Sequence, residues 1–317
     1  MSKVATFLPI NGFIAERKLW LEGQVVLINP RYLRYSSKES FIKNSYRLFK
    51  LYSPKHIKHR TLVIKYDSLT KWEVELDSAG YFRVSFNLEQ FENFDKTKLS
   101  YFLRESKLPV EIPPYSKANI YEFPEKGKFV VSDVDDTVLV SHANNKLKKF
   151  RTLLSKGAFQ RKQVEAMNTL YQHLSKDYGF IYLSNSEMNL YPLIKNFLNN
   201  NHFPKGPLFL REYKKLKQVV FKKYRYFQTK HHKQLTMQLL LRTFTKHKFV
   251  LVGDSGQKDP QIYYSIAKEF PDQIEKVYIR EIKRGHRKTE LKRIKNKLSA
   301  INISFEVFHT GQNLIKR

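Results

Sequence analysis

From Phe129 onward in this 317-residue chain, short apolar runs alternate with longer helical patterns, and that alternation limits the fold more than any other feature. The runs are Phe129–Val131, Phe180–Leu183, Leu208–Leu210, Phe249–Val252, Val277–Ile279 and Phe305–Phe308. Helical periodicity falls between them, near 161–176, 189–200, 231–246, 259–270 and 287–300. Apart from Glu306 in the last, each run is continuously apolar, as in strands buried on both faces of a parallel sheet. Strand–helix alternation of this kind predicts an α/β domain with a Rossmann-like parallel sheet. In open sheets of that class ligands bind at the carboxyl ends of the strands, so the residues after each run are where chemistry is expected.

Four such stations stand out. Ser132-Asp-Val-Asp-Asp-Thr137 follows the first run, with Asp133 and Asp135 two residues apart. In an extended chain they point the same way, so both carboxylates are expected to face one spot. Close carboxylates either share a proton or bind a cation; a turn or helix cap is the plainer alternative. The pattern does not favour a calcium loop of the EF-hand type, because its Gly and Glu positions hold Val138 and Asn144. Ser184-Asn185-Ser186 ends the second run. Its hydroxyls suit a phosphate oxygen, or equally a helix N-cap. Lys233 opens a helical pattern and can neutralise a phosphoryl oxygen, although most lysines in so basic a chain are simply solvated. Gly253-Asp-Ser-Gly256, followed by Asp259, ends the fourth run. Asp254 and Asp259 offer oxygen ligands for a hard cation; the plainer reading is a tight turn with Asp259-Pro260 starting a helix.

The N-terminal part has a different texture. Lys18–Ile28, Arg60–Tyr66, Lys71–Leu76 and Tyr81–Phe86 read as strands, with Val110–Ile112 as a last one. The turn Asp77-Ser-Ala-Gly80 joins two alternating segments and predicts a hairpin. Short strands with turns suggest a small β-sandwich. Residues 29–59 are basic and aromatic without clear period. Pro113 to Lys128 holds three prolines in sixteen residues and reads as a linker. The expected division is therefore 1–125, β-rich plus linker, and 126–317, the α/β domain.

Charge narrows the partners. Lys and Arg number 58 against 29 acidic residues, a net +29. Such a field attracts nucleic acid, anionic membrane surfaces or phosphorylated substrates. Cysteine is absent, which excludes disulfides and thiolate metal sites. No apolar run reaches 18 residues and no secretory signal opens the chain. A cytoplasmic protein, peripheral on membranes, is expected. Nine Lys/Arg lie between Arg211 and Lys233, interleaved with Tyr213, Phe221, Tyr224, Tyr226 and Phe227, and nine more between Arg280 and Lys297. These suit a lipid surface or a nucleic-acid strand, or are solvated helix faces.

In order on successive strands, the four stations resemble the haloacid dehalogenase superfamily of phosphotransferases. More specifically, Ser132–Thr137, Ile181–Ser186, Asn189-Leu-Tyr-Pro-Leu193, Phe203–Arg211, Lys248–Gly256, Asp259 with Tyr263, and Tyr278-Ile-Arg280 resemble the catalytic domain of the actin-patch-associated, Mg²⁺-dependent phosphatidate phosphatase family. The resemblance runs over about 125–285. Glu22-Gly-Gln-Val25 and Asp77–Phe82 are similar, more loosely, to the β-sandwich domain that often precedes it. The resemblance implies Asp133 as nucleophile, forming an aspartyl-phosphate, and Asp135 as its acid/base partner. It implies Mg²⁺ held by Asp133, the backbone carbonyl of Asp135 and Asp254, with Asp259 beside or among the ligands. Ser184 and Lys233 would hold phosphoryl oxygens, with Asn185 and Ser186 on the substrate side, and Thr137 would brace the loop. The family has Pro-Trp where this chain has Glu187-Met188, a departure that bears on substrate preference. The segment 138–179 is too short for a large cap, which fits a large substrate. The implied reaction is phosphatidate hydrolysis at a membrane surface. A phosphatase of nucleic-acid ends or protein, and a basic non-catalytic adaptor, are the alternatives.

Overall fold

The structure, a computed structural model, describes residues 3–33, 41–52, 54–57, 59–113, 119–140, 163–212, 231–282, 285 and 287–315. The chain divides into two compact units, Met1–Phe123 with Met188–Asn196, and Pro124–Glu187 with Phe197–Arg317. The tyrosines and phenylalanines of the 213–230 tract, and residues 141–162 of the segment where a cap would sit, lie outside the described residues.

In the second unit, β9 (Gly127–Ser132), β10 (Gly179–Glu187), β11 (Leu208–Arg211), β12 (His247–Asp254), β13 (Ile274–Arg280) and β14 (Ser304–Phe308) form one six-stranded sheet. Its order is β11-β10-β9-β12-β13-β14, and every pairing is parallel. Consecutive residues of β9, β10 and β12 are buried, so both faces of the sheet's centre are covered. The helices are α2 (Met167–Leu174), α3 (Tyr191–Asn200), which is divided between the units after Asn196, α4 (His232–Thr243), α5 (Asp259–Glu269), α6 (Lys288–Ser299) and α7 (Gln312–Ile315), following α1 (Phe41–Tyr52) of the first unit. Each apolar run of the sequence is a strand; the central ones are apolar because a doubly covered strand buries every side chain regardless of face, whereas β13 and β14 are partly exposed. The chain winds outward from β9 through β10 to β11, then returns to the other side of β9 for β12. That reversal puts the switch point between β9 and β12, where open α/β sheets bind ligands.

The first unit contains β1 (Val4–Ala15), β2 (Lys18–Ile28), β3 (Lys55–His56), β4 (Thr61–Lys65), β5 (Lys71–Glu75), β6 (Tyr81–Asn87), β7 (Ser100–Leu103) and β8 (Ile120–Glu122). A five-stranded sheet of β3-β2-β1-β8 with β6 on β2, and a three-stranded sheet β5-β4-β7, share one apolar core that includes Phe7, Leu21, Leu62, Ile64 and Tyr101. The expected hairpin does not form. β5 pairs with β4 and β6 pairs with β2, so the turn carries the chain from one sheet to the other. The turn chemistry itself is as expected. Asp77 Oδ1 accepts from the amides of Ala79 and Tyr81 at 2.7 and 3.0 Å, and Gly80 has φ +82°. Turn residues fix a reversal; the apolar faces of the flanking strands fix their partners. Val110–Ile112 is not a strand but a single bridge from Glu111 to Thr6. The stretch read as a linker contains β8, paired with β1. The long β1 escaped the sequence reading because Pro9 interrupts it, at a register shift between Phe7 and Ile10.

Candidate active site

β9 ends at Ser132, and Asp133 donates its amide to Val252 O of β12 at 2.8 Å. Beyond it the backbone leaves the extended state: Asp136 has φ +60°, and Val138 and Leu139 both donate to Val134 O. Period-two geometry no longer applies, and the carboxylates of Asp133 and Asp135 take different partners. They separate towards the two strands that flank β9.

Asp133 turns to the β12 side. One carboxylate oxygen each of Asp133, Asp254 and Asp259 lies within 4.8 Å of the other two, and all three residues are buried. The Lys233 ammonium sits among them, 2.7 Å from Asp133 Oδ1 and 2.6 Å from Asp259 Oδ1, with its side chain 1% exposed. Thr137 Oγ1 donates to Asp133 Oδ2 at 2.9 Å. Lysine in the first turn of α4 opposes the helix dipole; the two carboxylates explain why it is there. Asp259 suits its place in the first turn of α5, and its Oδ2 accepts the Asp254 amide at 3.3 Å. Tyr263, one turn on, donates to Val252 O at 2.9 Å. Gly253 makes this closure feasible, since a Cβ there would lie 2.6 Å from Asp259 Oδ2 and 2.8 Å from the Tyr263 ring.

Asp135 turns to the β10 side. Its Oδ2 accepts from Ser184 Oγ at 2.8 Å and Ser186 Oγ at 2.6 Å, and the Ser186 amide donates to Ser184 Oγ at 2.8 Å. The two serines flank Asn185, which is exposed and not part of this cluster. Ser184, expected to meet a phosphoryl oxygen, donates its hydroxyl to Asp135. Glu187, where the resembled family has Pro, pairs with Arg211 at 3.1 Å, and Met188 is buried.

Several contributors were not legible as site residues. Ser132 Oγ donates to Asp133 O and meets Tyr171 OH at 2.7 Å. Gln257 donates its amide to Asp254 Oδ1 at 3.0 Å, beside that of Gly256 at 2.5 Å. Arg280 donates through Nη1 to Asp136 O and through Nε to His309 O. An Asx turn at Asp-Ser-Gly-Gln was the one signal available for Gln257.

Burial raises the Asp133 carboxyl well above its ordinary range; Lys233 opposes the shift, and Asp259, Asp254 and Asp135 reinforce it. Burial, then Asp259, push Asp254 up to about 7. Burial disfavours the Lys233 charge, but Asp133 and Asp259 outweigh it and raise its pKa. Three buried carboxylates thus face one ammonium. The set is all oxygen and short of positive charge, which fits a hard divalent cation.

The sign of the pH effect follows. A raised carboxyl pKa contributes stability below the unfolded value, near 4, that is lost as pH rises through about 7. At pH 8 the ionised cluster is therefore a burden that a bound cation relieves, whereas below 7 protons compete with the cation. Mg²⁺ is expected to raise the melting temperature more at pH 8 than at pH 5.5, with proton release on binding near pH 7. An equal or larger rise at pH 5.5 would show that Asp254 is not a ligand.

Residues 129–281 match the family described as phosphatidate phosphatase APP1, catalytic domain. Phosphatidate phosphatase APP1 of Saccharomyces cerevisiae is 31% identical over 159 residues, 48% of this chain and 25% of that protein. An uncharacterized protein of Schizosaccharomyces pombe is 24% identical over 214 residues, 63% of this chain and 34% of that one. The matched stretches thus span about a quarter and a third of those relatives.

Proposed function

Residues 129–281 belong to the APP1-type phosphatidate phosphatase catalytic-domain family, and from that premise we propose that the chain is a Mg²⁺-dependent phosphatase that hydrolyses phosphatidate to diacylglycerol and phosphate. One observation carries the reading. Two carboxylates of one loop sit in different settings, Asp133 beside a buried ammonium and two more carboxylates, Asp135 between two hydroxyls. Carboxyls in separated environments are what an enzyme needs to divide nucleophile from acid/base.

Asp133 attacks phosphorus and the bond to the ester oxygen breaks, leaving an aspartyl-phosphate. Asp135, steered by Ser184 and Ser186, protonates the departing alkoxide. It then takes a proton from the water that cleaves the aspartyl-phosphate. Lys233 stays beside Asp133 throughout and offsets charge on the transferring group. Thr137 and the β12 carbonyl of Val252 keep Asp133 from swinging away. Asp133, Asp254 and Asp259 would hold Mg²⁺, which supplies positive charge against the phosphate dianion.

The fold assignment goes with this reading. A parallel sheet with the nucleophile after a central strand supports the haloacid dehalogenase type, and two sheets around one core support a β-sandwich in the first unit. A peripheral place on an anionic membrane is part of the proposal. The exposed face of α6 carries Lys288, Lys292, Arg293, Lys295 and Lys297, which suits lipid headgroups. Among the described residues no helix is long and apolar enough to cross a membrane.

The test is phosphate release from phosphatidate in mixed micelles, with Mg²⁺ or EDTA, beside nucleotides, sugar phosphates and 5′-phosphorylated oligonucleotides. Mg²⁺-dependent turnover of phosphatidate is expected to exceed the others. Turnover of oligonucleotide ends alone would transfer the same chemistry to nucleic acid, and no turnover of any phosphomonoester would refute the enzyme.

A further inference from the structure

The sequence of the basic tract after β13 suits a polyanion surface or a solvated helix face, yet its Arg287 faces inward. Its side chain is 20% exposed. Its Nη1 donates to two backbone carbonyls, Ser255 O at 2.7 Å and Gln257 O at 2.6 Å. Nε and Nη2 grip the two oxygens of Glu290 at 2.5 and 2.8 Å. Glu290 also accepts from Gln261 of α5. Arg287 itself has φ +66°, an uncommon state for a residue with a Cβ. The guanidinium is therefore fixed on one side by a fork-to-fork carboxylate pair, leaving the other side to hold the loop.

That loop is the one that carries Asp254. The peptide between Ser255 and Gly256 has two ends. Its C=O accepts from Arg287, and its N–H donates to Asp254 Oδ1 at 2.5 Å. A trans peptide is planar, with its C=O and N–H opposed, so anchoring the carbonyl fixes the direction of the amide. Arg287 thus sets the orientation of the Asp254 carboxylate through one rigid plane.

We propose that Arg287 is a positioning residue for the cation site: by clamping Ser255 O and Gln257 O, and itself held by Glu290, it aims Asp254 at the point shared with Asp133 and Asp259. This rests on the reading of those carboxylates as cation ligands.

Charge alone predicts the opposite result from positioning. Removing a cation near a cation site strengthens metal binding by simple electrostatics. Removing a clamp weakens it, and partners outside the ligand shell are typically worth 10- to 100-fold in metal affinity. The experiment is isothermal calorimetry of Mg²⁺ binding to the full chain at pH 8, for wild type, Arg287→Gln, Arg287→Lys and Glu290→Gln. Lys292→Gln, on the exposed face of α6, controls for lost charge. The Arg287 variants are expected to bind Mg²⁺ about 10- to 100-fold more weakly, Glu290→Gln to weaken it less, and Lys292→Gln to leave it unchanged. Arg287→Lys should not restore affinity, because an ammonium cannot reproduce the planar fork. Phosphatase assays at saturating Mg²⁺ should then recover most of kcat with KM unmoved, which a general loss of fold would not allow. Unchanged or tighter Mg²⁺ binding by both Arg287 variants would overturn the proposal, as would a melting temperature in EDTA that falls as far as the holo value. Absence of Mg²⁺ binding by the wild type would overturn the cation site and this inference together.

Discussion

Asp133→Asn is expected to lower phosphate release on the order of 10⁴- to 10⁶-fold, the loss typical of removing a covalent nucleophile. The substitution is nearly isosteric. Thr137 can still donate to the side-chain oxygen, and Lys233 keeps its 2.6 Å contact with Asp259. Burial and three neighbouring carboxylates already push the Asp133 carboxyl upward, so losing its charge should not unfold the protein. The melting temperature in EDTA at pH 8 is expected to hold or rise. A variant that folds and retains a tenth of wild-type turnover would refute the nucleophile. Acid-quenched protein gives an independent reading. Wild type incubated with labelled phosphatidate should carry a hydroxylamine-labile phosphate on Asp133, and Asp135→Asn should accumulate it, because hydrolysis of the intermediate needs the base.

Lys233→Met is expected to be the most destabilising single substitution in the site. The ammonium is 1% exposed, and its two partners are equally buried. Breaking a buried pair from one side leaves uncompensated charge, which typically costs about 3–5 kcal/mol. Here two carboxylates lose their partner, with Asp254 nearby. Urea unfolding at pH 8 in EDTA measures the loss; a change under about 1 kcal/mol would mean that Lys233 does not neutralise the cluster. Mg²⁺ should recover part of the stability, since it supplies positive charge to the same oxygens. Turnover should stay about 10²- to 10³-fold down, as when one donor to a developing charge is removed. Stability and activity are therefore expected to separate under Mg²⁺, which tells a structural lysine from a working one.

Local sequence signals do not specify pairing between distant segments. Asp77–Gly80 is a sound turn signal, yet β5 and β6 go to different sheets, because each strand's apolar face was better matched elsewhere. β1 was hidden by Pro9, which a local rule counts against a strand but a register shift accommodates. Arg287 reads as one cation among nine; its contacts to Ser255 and Gln257 join residues about thirty positions away, beyond any local pattern.

By itself the sequence determined that β9 to β14 are strands, that helices separate them, and that acidic and hydroxyl groups follow β9, β10 and β12. The reason is local: a strand covered on both faces must be apolar throughout, and its carboxyl end is where the chain can turn polar. Only the tertiary structure decided which groups meet. Placing β9 between β10 and β12 gives its loop a serine pair on one side and two carboxylates on the other. The turn that starts at Val134, whose carbonyl accepts from the amides of Val138 and Leu139, gives the two aspartates different neighbours. The same two aspartates, two residues apart, thereby acquire different partners and charges. Strand order and the turn after β9 are properties of the assembled sheet, and no spacing in the chain encodes them.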